Sequence, residues 1–177
     1  MMSTPPLSSA TMRLPPWQRT APAAVPNRTV SPGSIGCPLA AVMGGETAAG
    51  GKETVVVMQK PAATRSKFEY RLLATNKTST MQKEMQEAGD AGYEFKGQTI
   101  FNSTFGGKEV VVVLERDKSV AQPVKYEYRL LATKKTSTLQ KEVSEATAAG
   151  YAFVGMTVAD TAIGGDEIVS ILRKRIQ

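Results

Sequence analysis

The side chains able to do chemistry in this chain come in matched sets. Glu69/Glu127, Arg71/Arg129, Lys77/Lys135, Gln82/Gln140, Lys83/Lys141, Glu84/Glu142, Glu87/Glu145 and Glu109/Glu167 all recur at one constant offset. So do the runs Thr78-Ser79-Thr80 and Thr136-Ser137-Thr138. Those two runs precede apolar residues at helical spacing, so they are expected at helix N-termini. Free main-chain amides and a partial positive charge there could receive a phosphate or carboxylate. Helix capping by the same hydroxyls explains them without any ligand. The segment is no nucleotide-binding P-loop, because the Gly-rich cradle and the Gly-Lys-Ser/Thr ending are absent. Glu127 and Arg129 alternate with apolar neighbours and read as a solvated cross-strand surface. Lys141 and Glu145 are four apart, a modest exposed ion pair.

Composition removes most catalytic chemistry. The 177-residue chain contains no histidine and one cysteine, Cys37. Histidine-based general acids and bases, Ser/His or Cys/His nucleophile pairs and intramolecular disulfides are thereby excluded, as are most zinc and iron sites. Paired carboxylates for hydrolysis cannot be nominated from spacing alone. No catalytic, cofactor-binding or metal-ligating residue is therefore assigned, and no cofactor is expected. The formal charge of +6 suggests nucleic acid until it is located. Arg13, Arg19 and Arg28 lie in an N-terminal segment with no acid before Glu46, leaving 19 basic and 16 acidic residues interspersed elsewhere. Interspersed charge marks a solvated surface rather than a phosphate-tracking stripe, so nucleic-acid binding ranks third. Tyr70, Tyr93, Tyr128, Tyr151, Phe95 and Phe153 read as core rather than as base-stacking platforms.

The elements that would position these residues follow from a repeat. Residues 67–117 and 125–175 align without gaps, with 28 of 51 positions identical. In the second copy Tyr126, Tyr128 and Leu130 alternate with Glu127, Arg129 and Leu131, the period of a strand with one buried face. Leu139, Val143, Ala146 and Gly150 then fall on one helical face, as do Met81, Met85, Ala88 and Gly92 in the first copy. Ser137 with Gln140 predicts a capping box, and Gly150 a C-terminal cap. Tyr151 and Phe153 open a second strand. Gly106-Gly107 and Gly164-Gly165 suit tight hairpin turns into a third. The run Val110 to Leu114, apolar on both faces, belongs in the middle of a sheet. The expected fold is α+β: tandem βαββ units, each a three-stranded antiparallel or mixed sheet of order 1-3-2 with one helix on one face. Units of about 50 residues bury too little alone, so the copies are expected to pack as an intramolecular pseudo-dimer.

A further half-copy precedes the two full ones. Residues 36–60 match the closing half of the unit, with ETAAGGKE opposite DTAIGGDE, and read as a β-hairpin expected to add to an exposed sheet edge. Its missing first half should occupy residues 1–35, a Pro-rich stretch that reads as a disordered tail. The half-copy is either a degraded repeat or the product of a mis-assigned start, and the second is favoured. As written, neither an export signal nor an apolar run long enough to span a bilayer is present. The chain reads as cytoplasmic, or as exported if the true start lies upstream with a signal peptide.

At EYRLLA, AAGYAFVG and EIVSILRKR the unit resembles a small bacterial domain family of unknown function. Its members carry an aromatic-Glu-Tyr-Lys-Val-Val opening, a Gly-Trp-Glu-Leu-Val-like middle and a basic closing strand. Tyr93 and Tyr151 stand where that family commonly has Trp, and the Thr-Ser-Thr helix start also departs from it. The resemblance implies the βαββ fold and no particular activity or site. Together these readings point to a non-enzymatic binding or assembly module of unknown specific partner, with self-association through sheet edges as one route. The alternative is a small-ligand or anion binder using Thr78, Ser79, Thr80, Thr136, Ser137 and Thr138, and the third is a weak nucleic-acid binder.

Overall fold

Strands rich in Val, Leu and Tyr and two helices with apolar stripes fold into an α+β arrangement in which every strand pairing is antiparallel. The computed structural model describes residues 7–12, 28–35, 37–47, 51–59, 67–75, 77–102, 108–160 and 166–176. In chain order the elements are β1 (Leu7–Met12), β2 (Arg28–Ile35), β3 (Leu39–Thr47), β4 (Gly51–Gln59), β5 (Phe68–Thr75) and α1 (Thr78–Asp90). They continue with β6 (Glu94–Asn102), β7 (Lys108–Asp117), β8 (Lys125–Thr133), α2 (Thr136–Ala148), β9 (Ala152–Asp160) and β10 (Asp166–Ile176). The Gly-Gly turns at 106–107 and 164–165 lie outside the described residues.

The middle sheet, β2-β5-β7-β6, explains how the sequence pattern becomes packing. Strand β7 lies between two neighbours, and Val111, Val112, Val113 and Leu114 are all buried, so its apolar residues serve both faces of the sheet. Met81, Met85 and Ala88 of α1 are buried on one of those faces. Each helix ends into a glycine with positive φ, Gly92 at 82° and Gly150 at 89°, a conformation in which other residues are strained. The helix starts differ from expectation. The residues flanking the helices are Lys77 and Lys135, and no side chain caps either terminus, so the Ser137/Gln140 capping box does not form. Instead the hydroxyls of Thr75 and Thr133 accept hydrogen bonds from the Lys77 and Lys135 amides, at 3.1 and 3.2 Å. A short turn made by the strand's last threonine satisfies a main-chain donor before the helix begins.

Three sheets are stacked face to face. The N-terminal sheet has the order β1-β4-β3, and the C-terminal sheet β8-β10-β9. Leu39, Val56 and Met58 of the N-terminal sheet pack on Tyr70 and Val113 of the middle one. Phe95, Val112 and Leu114, on the opposite face of the middle sheet, pack on Tyr128, Val169 and Ile171 of the C-terminal sheet and on α1. One expectation is corrected here. The 36–60 hairpin does not extend a neighbouring edge: β3 and β4 gain β1 as a third strand and lie flat on the middle sheet. The two full copies pack on each other, and they do so through opposite faces of their sheets.

Strands also occur inside the 1–35 segment, where the prolines gave no reason to expect them. β1 pairs with β4 from Leu7↔Gln59 to Met12↔Thr54, and β2 pairs with β5. Pro32 falls in the break of that second ladder between Val30 and Ile35, on an edge strand, where a residue without an amide N–H is tolerated.

Candidate interaction surface

The contacts joining the sheets recur at matched positions of successive copies. Tyr70 of the middle sheet donates its hydroxyl to the Cys37 carbonyl at 2.6 Å, and Tyr128, its counterpart in the next copy, donates to the Tyr93 carbonyl at 3.0 Å. Tyr93 is in turn the counterpart of Cys37. Burial, with the nearby Glu115 charge adding to it at Tyr70, pushes both phenols well above their ordinary range, so they stay neutral donors. Tyr128 additionally accepts from the Phe95 amide at 2.6 Å. Close strand approaches repeat in the same way. A Cβ added at Gly97 would come within 2.9 Å of Val42, and one at Gly155 within 2.9 Å of Phe95 and 3.2 Å of Gln98. We call the face carrying Tyr70 or Tyr128 the leading face, and the one carrying Phe95 and Leu114 the trailing face.

Helix α1 guards the open β8 edge of the C-terminal sheet. From α1, Gln82 donates to the Tyr128 carbonyl and accepts from the Leu130 amide, at 2.8 and 2.7 Å, while Gln86 accepts from the Tyr128 amide at 3.0 Å. Two primary amides thus stand in for a neighbouring strand along β8. Gly89 allows this approach, since a Cβ there would run into the Tyr126 carbonyl oxygen. In the middle sheet β5 has its edge covered instead by β2.

A chain of charges crosses all three sheets. Arg173 of β10 donates to Glu94 at 2.7 Å, Lys96 lies 2.9 Å from Glu94 and 3.3 Å from Glu115, and Glu115 accepts from the Leu39 amide at 2.7 Å. Burial raises the Glu94 pKa, but Lys96 and Arg173 outweigh it and hold the carboxyl below its usual range. Burial likewise lowers Lys96, and Glu94 and Glu115 overcome it and raise the ammonium above its usual value. Each ion in this set has an opposite partner, which makes the set a clamp between sheets. Among the described residues no group of three or more Cys, Asp or Glu side chains is placed to hold a metal ion.

The stack ends in unmatched apolar surface. Phe95 is 8 % exposed beneath the C-terminal sheet, whereas Phe153, its counterpart in the last copy, is 49 % exposed. Met156 and Val158 beside it are exposed as well. The expectation that Phe153 is core is therefore corrected, because its cover would have to come from a further sheet. At the other end Met43 is 67 % exposed and Ala41 is exposed next to it. Sequence reasoning missed both surfaces. The signal available to it was the repeat itself: if the next sheet buries each trailing face, the trailing face at the end of the described stack is left open.

The residues singled out as anion ligands fall in the first turns of two separate helices. Thr78, Ser79 and Thr80 open α1, and Thr136, Ser137 and Thr138 open α2. The shallow concavity beside the α1 trio is lined by Ser79, Thr80, Lys83, Glu84 and Glu87. Its two carboxylates oppose an anion, and burial together with the Glu87 charge raises the Glu84 pKa. Of the pair expected to be solvated, Arg129 is exposed and Glu127 half-buried, while their first-copy counterparts Glu69 and Arg71 are both half-buried. Arg116 pairs with Glu69, and the Arg71 and Arg116 guanidiniums lie 5.1 and 4.8 Å from the Tyr93 ring centroid. Arg129 and Lys174 approach Tyr151 in the same way, at 5.4 and 5.7 Å. The Lys141–Glu145 pair forms at 3.9 Å with both side chains largely in solvent, where it contributes little. Among the described residues no helix is long and apolar enough to cross a membrane. No known protein family, curated protein or solved structure matches this chain.

Proposed function

We propose that this chain is a non-enzymatic assembly module made of tandem βαββ units of order 1-3-2, whose working parts are sheet faces rather than a reaction centre. The observation that carries the reading is the recurrence of one contact, tyrosine hydroxyl to preceding-sheet carbonyl, at Tyr70–Cys37 and Tyr128–Tyr93. A contact built twice from matched residues is a joining device, and the chain presents its apolar complement unmatched at the exposed Phe153 face. On this reading β1 and β2 stand in for the missing first half of the N-terminal unit, β2 taking over at the β5 edge what α1 does at β8. The resemblance to the bacterial domain family of unknown function fits a unit whose shared residues are mostly structural.

The test is a substrate panel of esters, phosphoesters, glycosides and redox dyes, run with the purified chain and with Lys96→Met, which breaks the most densely charged cluster. The reading expects no turnover above blank. A turnover that Lys96→Met removes while the protein stays folded would overturn it. The anion-binding alternative rests on the two Thr-Ser-Thr helix starts. It predicts a phosphate-dependent rise in Tm that Thr78→Val and Thr136→Val abolish, and a phosphate-insensitive Tm would dismiss it.

A further inference from the structure

The two internal joints share one orientation. In each, a trailing face receives the leading face of the next sheet: Val42 meets Gly97, then Gln98 meets Gly155. Likewise Gly44 meets Thr99. Advancing the trailing-face residue to its counterpart in each successive copy leads from Val42 to Gln98 to Met156. On leading faces the same steps lead back from Gly155 to Gly97 to Ala41. The Gly44–Thr99 contact transfers in the same manner to Val158 and Met43. Met156, Val158, Ala41 and Met43 are the residues that stand exposed at the two ends of the stack. A surface whose two ends complement each other, and do not meet within one chain, is the condition for head-to-tail association.

We propose that the occupant of the Phe153–Met156–Val158 face is a second copy of this chain, docked by its Ala41–Met43 face and so continuing the internal stack across molecules. The proposal rests on the assembly reading above and names its partner. Its support is continuity: sheets already meet trailing face to leading face twice inside the chain, and a third such joint would be made between chains, standing slightly wider because Ala41 carries a Cβ where Gly97 and Gly155 carry none. Burial of Phe153, Met156 and Val158 removes from water a patch that no described element covers. Such a joint is heterologous, so it produces open chains or rings rather than a closed two-fold dimer.

Sedimentation velocity of the full chain over a wide concentration range, with Met43→Lys and Met156→Lys, tests this. Both positions are largely exposed, so both variants are expected to fold, which circular dichroism checks. Wild type is expected to form species larger than a dimer as concentration rises. Each lysine blocks one end by burying an unpaired charge, and weakens association at least about tenfold. Mixed together, the two variants are expected to give a capped dimer, since Met43→Lys keeps an intact trailing face and Met156→Lys an intact leading face. A wild type that stays monomeric throughout would overturn the proposal, leaving the assembly reading to another partner. Dimers of Met43→Lys alone would overturn it too, by showing that two trailing faces meet. Failure of the assembly reading itself would appear separately, as turnover in the substrate panel.

Discussion

Replacing Tyr128 with Phe removes one oxygen atom and tests the joint between the middle and C-terminal sheets. That hydroxyl is buried, donates to the Tyr93 carbonyl at 3.0 Å and accepts from the Phe95 amide at 2.6 Å. Tyr93 and Phe95 are themselves buried, so the substitution leaves two main-chain groups without their partner. A buried polar group orphaned in this way costs about 1–3 kcal/mol. Against the pair must be set the desolvation that Phe no longer suffers, leaving a net loss of roughly 2–3 kcal/mol. For a chain of this length each kcal/mol lowers Tm by about 2–4 °C, so a fall of roughly 5–10 °C is expected. Urea unfolding should show a lower midpoint at unchanged slope, because the surface exposed on unfolding is the same. Tyr126→Phe serves as control: its ring is half-buried and stays under the Arg173 guanidinium, so a change within about 0.5 kcal/mol is expected. A Tyr128→Phe loss no larger than the control would refute the claim that this hydroxyl holds the sheets together.

Other consequences are smaller in scope. Gly89→Ala improves helix propensity by about 1 kcal/mol, yet its Cβ meets the Tyr126 carbonyl oxygen, an overpacking cost of about 1–3 kcal/mol, so Tm should fall. A rise would mean that α1 and β8 stand farther apart. Ser170 has a fully buried hydroxyl without a hydrogen-bond partner, at the position where the preceding copy has Val112. Ser170→Val should stabilise by about 1–2 kcal/mol in thermal unfolding, and a loss would show that the hydroxyl is satisfied. Glu94 has a folded-state pKa below its ordinary value, so its contribution is present above the usual carboxylate range and is lost as pH falls through the folded pKa. Glu94→Gln should therefore lower Tm at pH 7 and have a smaller effect at a pH below the ordinary carboxylate range. An equal gap at both pH values would assign the effect to packing instead of charge.

Much of the fold was legible because side-chain periodicity reports burial directly. The alternation around Tyr128, the stripe Met81-Met85-Ala88 and the all-apolar run at Val110 to Leu114 each correspond to what packs where. Gly150 was legible for a backbone reason, since it adopts positive φ at a helix end; Gly92 does the same, although its spacing alone placed it on the helix stripe. The helix starts were not, because the hydroxyl that matters belongs to the strand: Thr75 and Thr133 reach forward and leave Ser137 idle. β1 and β2 were invisible because their partners come from distant segments, β4 and β5, and pairing of this kind leaves little local trace. The candidate surface was hidden for a related reason. Phe95 and Phe153 have the same residue type in the same local sequence, and only the presence or absence of a following sheet makes one core and the other surface.

The central claim, that sheets join trailing face to leading face and that the exposed ends continue the pattern, can be read most directly by cross-linking. In a Cys37→Ser background, which removes the free thiol, Ala41→Cys and Met156→Cys proteins are mixed under mild oxidation. Positions 41 and 156 are the counterparts of Gly97 and Val42, which approach closely at the internal joint, and a disulfide forms only where two Cβ atoms come within about 3.5–4.5 Å. The account predicts mixed dimers linked between positions 41 and 156. Dimers linked only 156 to 156, with no mixed product, would contradict it.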